Sequence, residues 1–258
     1  MTLARCRGTC CILVNVFTDK VNAPKVPRSR GRPRGHTPQG IKTRQTLFET
    51  AIALMAKRGY AAATLREVAA EAGVSSTLLY RYFPSKQSVV LALYDDLSAQ
   101  YAEVATAMPR GKWRDRFLFA LRGSLEVLKP HRRTLSALVP VLIGDADHGL
   151  FSPSTAFSRV RVERAFRQAV VDATDAPRAE LAAPLGRLLY LLHLAVLLWW
   201  LIDKSPGQRA TSGLVALIQK TMPSAVLALR FPPVVRLVRT GDALFAEALL
   251  DGDLGPSE

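Results

Sequence analysis

From Lys42 onward, apolar residues recur at helical spacing, and no useful stretch shows the period-two alternation of a half-buried strand. Leu47, Phe48, Ala51, Ile52, Leu54 and Met55 form one apolar stripe, which predicts a helix over about Lys42 to Lys57 with Gly59 as its stop. A short second helix opens at Thr64, where Thr64 and Glu67 make a T-x-x-E capping box and Leu65, Val68, Ala69 and Ala72 supply the inward face. Gly73 breaks that helix, Ser75 caps a third, and Phe83-Pro84 ends it. Ser85 caps a fourth that runs to about Ala107. Past Pro109 the pattern predicts helices at roughly 112–128, 131–143, 154–173, 184–203, 206–229 and 233–250, with 144–153 as a loop. Residues 1–40 hold Pro24, Pro27, Pro33 and Pro38 among Gly, Arg and Lys, and are expected to be unstructured. The fold class is all-α.

The segment 64–83 has the spacing of a helix-turn-helix: a short helix, a glycine turn and a second capped helix. Gly73 takes the turn's backbone angles without a Cβ clash, and Val74 fills the angle between the helices. Leu79 and Phe83, four apart, hold the second helix to the core. That leaves Ser76, Thr77, Leu78 and Arg81 facing outward to a major groove. The charge distribution agrees. Residues 1–94 hold 15 Lys/Arg against 4 Asp/Glu, a balance of +11, whereas residues 95–258 hold 20 against 17, only +3. A basic third on a near-neutral body is the footprint of a polyphosphate partner. The competing reading, a solvated basic face, does not explain why the charge gathers around the motif.

Thr43-Arg44 through Gly59, then Ala69-Ala70-Glu71-Ala72-Gly73-Val74-Ser75, then Tyr80-Arg81-Tyr82-Phe83-Pro84-Ser85-Lys86 resembles the DNA-binding domain of the TetR family over about residues 41–101. The resemblance implies a three-helix helix-turn-helix domain at 41–101 and a larger helical bundle at 102–258 for ligand binding and dimerisation. It also implies phosphate contacts by Thr64, Ser75, Tyr80, Tyr82 and Lys86, with Arg44 and Arg66 on the same DNA-binding surface. Lys86 sits near a helix N-terminus, whose backbone N–H groups add to its attraction for an anion. The sequence departs from the family at Thr77 and Leu78, where small residues are usual, so the operator it reads is left open. Upstream, Arg30-Gly31-Arg32-Pro33-Arg34 resembles the core of an AT-hook, which slides into a narrow A·T minor groove. A solvated basic tail adding only non-specific attraction is the equal alternative.

Residues 181–203 are the most apolar part of the chain. The uninterrupted run from Leu188 to Ile202 has 15 residues, short of the about 20 a membrane span needs, and it holds His193. A buried helix is therefore expected. Leu188, Leu192, Ala195, Trp199 and Ile202 share one face, and Leu189, His193, Leu197 and Trp200 another. A helix apolar all round must be covered on all sides. The resemblance places a four-helix dimer interface on 184–203 and 206–229. Tyr190, His193, Trp199 and Trp200 put polar tips into apolar surroundings, which suits a core contact or a ligand pocket.

Cys6, Cys10 and Cys11, all at the N-terminus, argue against a disulfide framework and for a reducing cytoplasm. The leader's short apolar stretch lacks a signal-peptide cleavage site. Asp145, Asp147 and His148 read as a solvated loop without a fourth metal ligand. No catalytic motif or cofactor signature is seen, so an enzyme is disfavoured. The expected function is a cytoplasmic, dimeric repressor that binds a palindromic double-stranded operator and is released by a small apolar effector. Two alternatives stand beside it: an architectural protein of A·T-rich DNA with little ligand response, and an enzyme with a vestigial DNA module.

Overall fold

The computed structural model describes residues 37–144, 147 and 149–249. The chain falls into two units, Met1–Thr37 and Pro38–Glu258, and the second is described here. The AT-hook-like stretch, Arg30 to Arg34, lies outside the described residues, as do Asp145 and His148 of the loop.

Ten α-helices follow one another, with no strand among the described residues. They are α1 (Pro38–Arg58), α2 (Leu65–Glu71), α3 (Ser76–Tyr82), α4 (Lys86–Thr106) and α5 (Trp113–Leu128). Then come α6 (Arg132–Gly144), α7 (Ala156–Val171), α8 (Ala179–Ile202), α9 (Arg209–Ala228) and α10 (Pro232–Leu249). Two starts differ from the sequence reading. α1 begins at Pro38 because proline in the first turn sacrifices no hydrogen bond and its φ already suits a helix. α8 begins five residues before Pro184, whose missing N–H falls early enough in the helix to cost a single bond.

Helices of seven residues such as α2 and α3 are not stable alone. They are held by caps and by packing. The Thr64 side chain accepts from the Glu67 N–H while the Glu67 carboxylate accepts from the Thr64 N–H. Ser75 caps α3 by accepting from the Leu78 N–H. Each such cap contributes about 1 kcal/mol. Gly59 and Gly73, at φ +83° and +67°, hold the left-handed conformation that ends α1 and α2. Beneath them Leu47, Met55, Val68, Leu79, Phe83 and Val89 form a core. That core continues into the body through Leu135 and Leu138 of α6 and Trp200 and Leu201 of α8. The expected boundary at 101/102 falls inside α4, so head and body share a helix as well as a core.

A second core joins Trp113, Phe117, Phe166, Leu185, Tyr190 and Val215, with α7 and α8 as its most extensive pairing. By length and composition α8 is apolar enough to cross a membrane. In this fold it packs against α5, α6, α7, α9 and α10. Within the single chain the cover of α8 is incomplete. Leu189, His193 and Trp200 are buried, but Ala195, Leu198, Trp199 and Ile202 on the far side face out, Trp199 with 46% of its surface exposed. Leu188 and Leu192, on the same face as Trp199, are half-buried against the second core, so neighbouring helices cover the first part of that face and leave its C-terminal part open.

At the α7–α8 crossing, a Cβ added to Gly186 would lie 2.7 Å from Arg167 Cα. Gly186→Ala should therefore lower stability by about 1–3 kcal/mol, because backbone must move. Gly213→Ala on α9, where nothing lies within 4 Å, should be neutral or mildly stabilising. Urea denaturation of the two variants checks this, and equal stabilities would contradict the close crossing.

Candidate nucleic-acid interface and buried cavity

The α2–turn–α3 unit presents a continuous polar surface. Ser75, Ser76, Thr77, Tyr80 and Arg81 are exposed, as are Thr64 and Arg66 on α2's side. Leu78 and Tyr82 are half-buried, and Tyr82 packs on the core. Arg44 is exposed, with its guanidinium 5.2 Å from the Phe83 ring centroid. Most of these residues thus lie together on the outer side of the capped pair.

Besides Ser75, whose hydroxyl caps α3, Thr64 and Lys86 are already engaged. The Thr64 hydroxyl donates to Glu67 at 2.9 Å within the capping box, and Arg58 pairs with the same carboxylate. These bonds, with the Thr64 hydroxyl foremost, hold the Glu67 carboxyl below its ordinary pKa. Lys86 Nζ donates to the carbonyls of Tyr60 at 2.8 Å and Ala61 at 3.2 Å, and lies 4.6 Å from the Tyr60 ring centroid. Lys86 thereby fastens the start of α4 to the turn after α1. Sequence alone could not reveal this anchor, since the carbonyls lie some 25 residues away.

Behind the head, a cavity of about 110 Å³ opens in the body. α4 contributes Tyr94, Leu97 and Tyr101 to its wall, α6 contributes Leu135 and Leu142, and α8 contributes Tyr190 and His193. Two of the four aromatic candidates are therefore in the wall. The other two lie elsewhere. Trp199 points outward, and Trp200 sits in the core shared with the head. Arg132 holds Trp200 there. Its guanidinium lies 5.6 Å from the indole centroid and donates to the carbonyls of Trp200 and Asp203 at the open end of α8.

His193 Nε2 lies 2.8 Å from Ser124 Oγ, and its ring stacks on Phe166 at 4.6 Å. Burial pushes its pKa down to about 3, so the imidazole is neutral. Burial likewise raises the Tyr101 and Tyr190 phenols. Tyr101, Ser124 and Arg159 were missed by the sequence reading. For Tyr101 the signal was present, as Tyr94 and Tyr101 are seven apart on one face of α4. Arg159 carried none. It is 3% exposed and donates to the carbonyls of Leu150 and Ser152, both 3.3 Å away, so it ties the 150–152 loop to α7.

Residues 47–93 match the family model described as bacterial regulatory proteins, tetR family. An uncharacterised HTH-type transcriptional regulator of Bacillus subtilis, YerO, is 39% identical over 49 residues, 19% of this chain and 17% of that protein. The HTH-type transcriptional repressor KstR2 of Rhodococcus jostii is 38% identical over 68 residues, 25% of this chain and 33% of that protein. The matches thus span a third or less of these curated relatives. A crystal structure of a tetR-family transcriptional regulator from Streptomyces coelicolor is 27% identical, with TM-score 0.55, over 83% of this chain and 94% of that one.

The neutral imidazole makes the fold acid-sensitive. His193 takes up a proton in the unfolded chain below about 6.5 but in the fold only near 3, so falling pH favours unfolding. Stability should drop by at most about 1.4 kcal/mol per pH unit through this group below pH 6.5. His193→Gln should flatten that dependence between pH 6.5 and 5 in denaturation curves. An unchanged pH profile would contradict a buried neutral imidazole.

Proposed function

We propose that this chain, a TetR-family protein by its DNA-binding domain and its fold, is a ligand-responsive, dimeric repressor of transcription. The observation that carries the proposal is the capped α2–α3 pair, with Ser76, Thr77 and Arg81 exposed on its outer side. A recognition helix so placed enters a major groove, where bases present distinct donors and acceptors. Thr77 and Arg81 are assigned to base edges, with Leu78 as an apolar contact for a thymine methyl. Ser75, Tyr80, Tyr82, Thr64 and Lys86 are assigned to phosphates, with Arg44 and Arg66 beside them, so they set register more than sequence. Lys86 then does two things, since an ammonium has three donors and two are directed at the Tyr60 and Ala61 carbonyls. The basic arm at Arg30 to Arg34 is assigned to the adjoining minor groove. The chain acts on DNA in the cytoplasm and carries no catalytic role in this reading. The Rhodococcus relative is described as a repressor, and the same sign of control is proposed here.

The partner is a second copy. Outward-facing Ala195, Leu198, Trp199 and Ile202 on α8, with Leu217 and Leu227 on α9, make an apolar surface that a two-fold dimer buries on both subunits at once. Such a dimer presents two recognition helices to half-sites about 34 Å apart or slightly more. The effector occupies the cavity, whose wall includes α4, the helix that leads from the head, and α6, which packs against α1. Binding there shifts the head only as far as the ligand prefers one state over the other.

Ala195→Glu places a charge in the exposed stripe without touching the head. It should convert dimer to monomer in analytical ultracentrifugation and abolish binding to the DNA upstream of the chain's own gene in the same preparation. A variant that remains dimeric and still binds would place the interface elsewhere. Wild-type protein that binds all DNA alike, with no response to ligands, would favour the architectural alternative.

A further inference from the structure

The cavity's chemistry says more about its occupant than its position does. Leucine is the commonest residue of the wall, with Leu97, Leu128, Leu135, Leu142, Leu194 and Leu197 among them. The charged group bordering it, Arg159, is directed at the carbonyls of Leu150 and Ser152 and lies over the Phe151 ring. That leaves a largely apolar, half-open cavity suited to an uncharged molecule. The size is limiting too. A closed apolar cavity of about 150 Å³ takes up benzene, so this smaller one, about 110 Å³ and open on one side, accepts a single ring whose far edge reaches the opening.

Two buried polar atoms on wall residues have no hydrogen-bond partner among the described residues: Tyr101 Oη and His193 Nδ1. Leaving such buried atoms unpaired is unfavourable, because they have lost their water without gaining a partner. His193 Nε2 faces the Ser124 hydroxyl, which can donate or accept. Nδ1 is therefore an acceptor in one tautomer and a donor in the other. A hydroxyl on the ligand satisfies both tautomers and also Tyr101, whereas a carbonyl, which only accepts, satisfies one.

We propose that the cavity binds a small neutral ring compound bearing one hydroxyl, of the phenol class, with its ring among the leucines and its hydroxyl directed at His193 and Tyr101. This rests on the regulator reading above and names the chemical class of its effector.

The test is calorimetric titration of full-length protein with p-cresol, toluene and benzoate at neutral pH. p-Cresol should bind, toluene at least about tenfold more weakly, and benzoate more weakly than either. Tyr101→Phe, which removes only the hydroxyl, should reduce p-cresol affinity by up to about tenfold while leaving toluene unchanged. The toluene arm also shows that the variant's cavity is intact. His193→Phe provides a second removal of a hydrogen-bonding group. Tighter binding of benzoate, equal binding of cresol and toluene, or no binding of any of the three, as when the cavity holds only water, would overturn the proposal. Ligand-free protein from the same preparation is assayed separately on DNA. Failure there refutes the regulator reading and leaves the cavity result standing.

Discussion

α4 has to satisfy two cores at once, and the placement of the helix-turn-helix on the rest of the chain depends on that constraint. Near its start, Val89, Val90 and Leu93 complete the core beneath the helix-turn-helix. Further along, Tyr94 and Leu97 wall the cavity, and Tyr101 joins the second core. At 1.5 Å per residue, Val89 and Tyr101 lie about 18 Å apart on one rigid rod. Its beginning is pinned by Lys86 to the carbonyls of Tyr60 and Ala61, and its middle by Arg161, which donates to Asp95 and Ser98. In the regulator proposed above, a tilt imposed on the tyrosine end would be carried along this rod toward the head.

α6 supplies a parallel connection. Leu135 belongs to the head's core and also walls the cavity, while Arg132 and Ser136 hold the last carbonyls of α8. Beyond that end, the Asp203 carboxylate accepts from the Thr211 hydroxyl at 2.6 Å and from the N–H groups of Ser205 and Thr211. These bonds, the Thr211 hydroxyl first, hold its pKa well below the ordinary carboxylate value. The turn between α8 and α9 is thereby fixed, and with it the relative placement of the two helices that carry the proposed dimer surface.

The head was legible because its determinants are local. Thr64 with Glu67, Gly73 and Ser75 each act within about three residues of their own position, and the observed caps match. The helices of the body were legible for the same reason. Which face of α8 is buried was not, since an amphipathic pattern is the signal for a face and α8 has none. His193 and Trp200 share one side of that helix, yet one walls the cavity and the other fills the head's core. Their difference is set by α5, α6 and α7. The buried cations were equally hidden. Arg116 is held by the carbonyls of Ala169 and Gln168, more than 50 residues away, and a sequence shows an arginine without showing the carbonyls that surround it.

In the proposed regulator, α3 reads DNA as one half of a symmetric pair. It is tested most directly by selecting bound sequences from a random duplex pool with wild-type protein and with Arg81→Ala. Wild type should enrich an inverted repeat, and the variant should lose preference at matched positions in both half-sites while retaining their spacing. Enrichment of no sequence by wild type, or an identical repeat from both proteins, would contradict it.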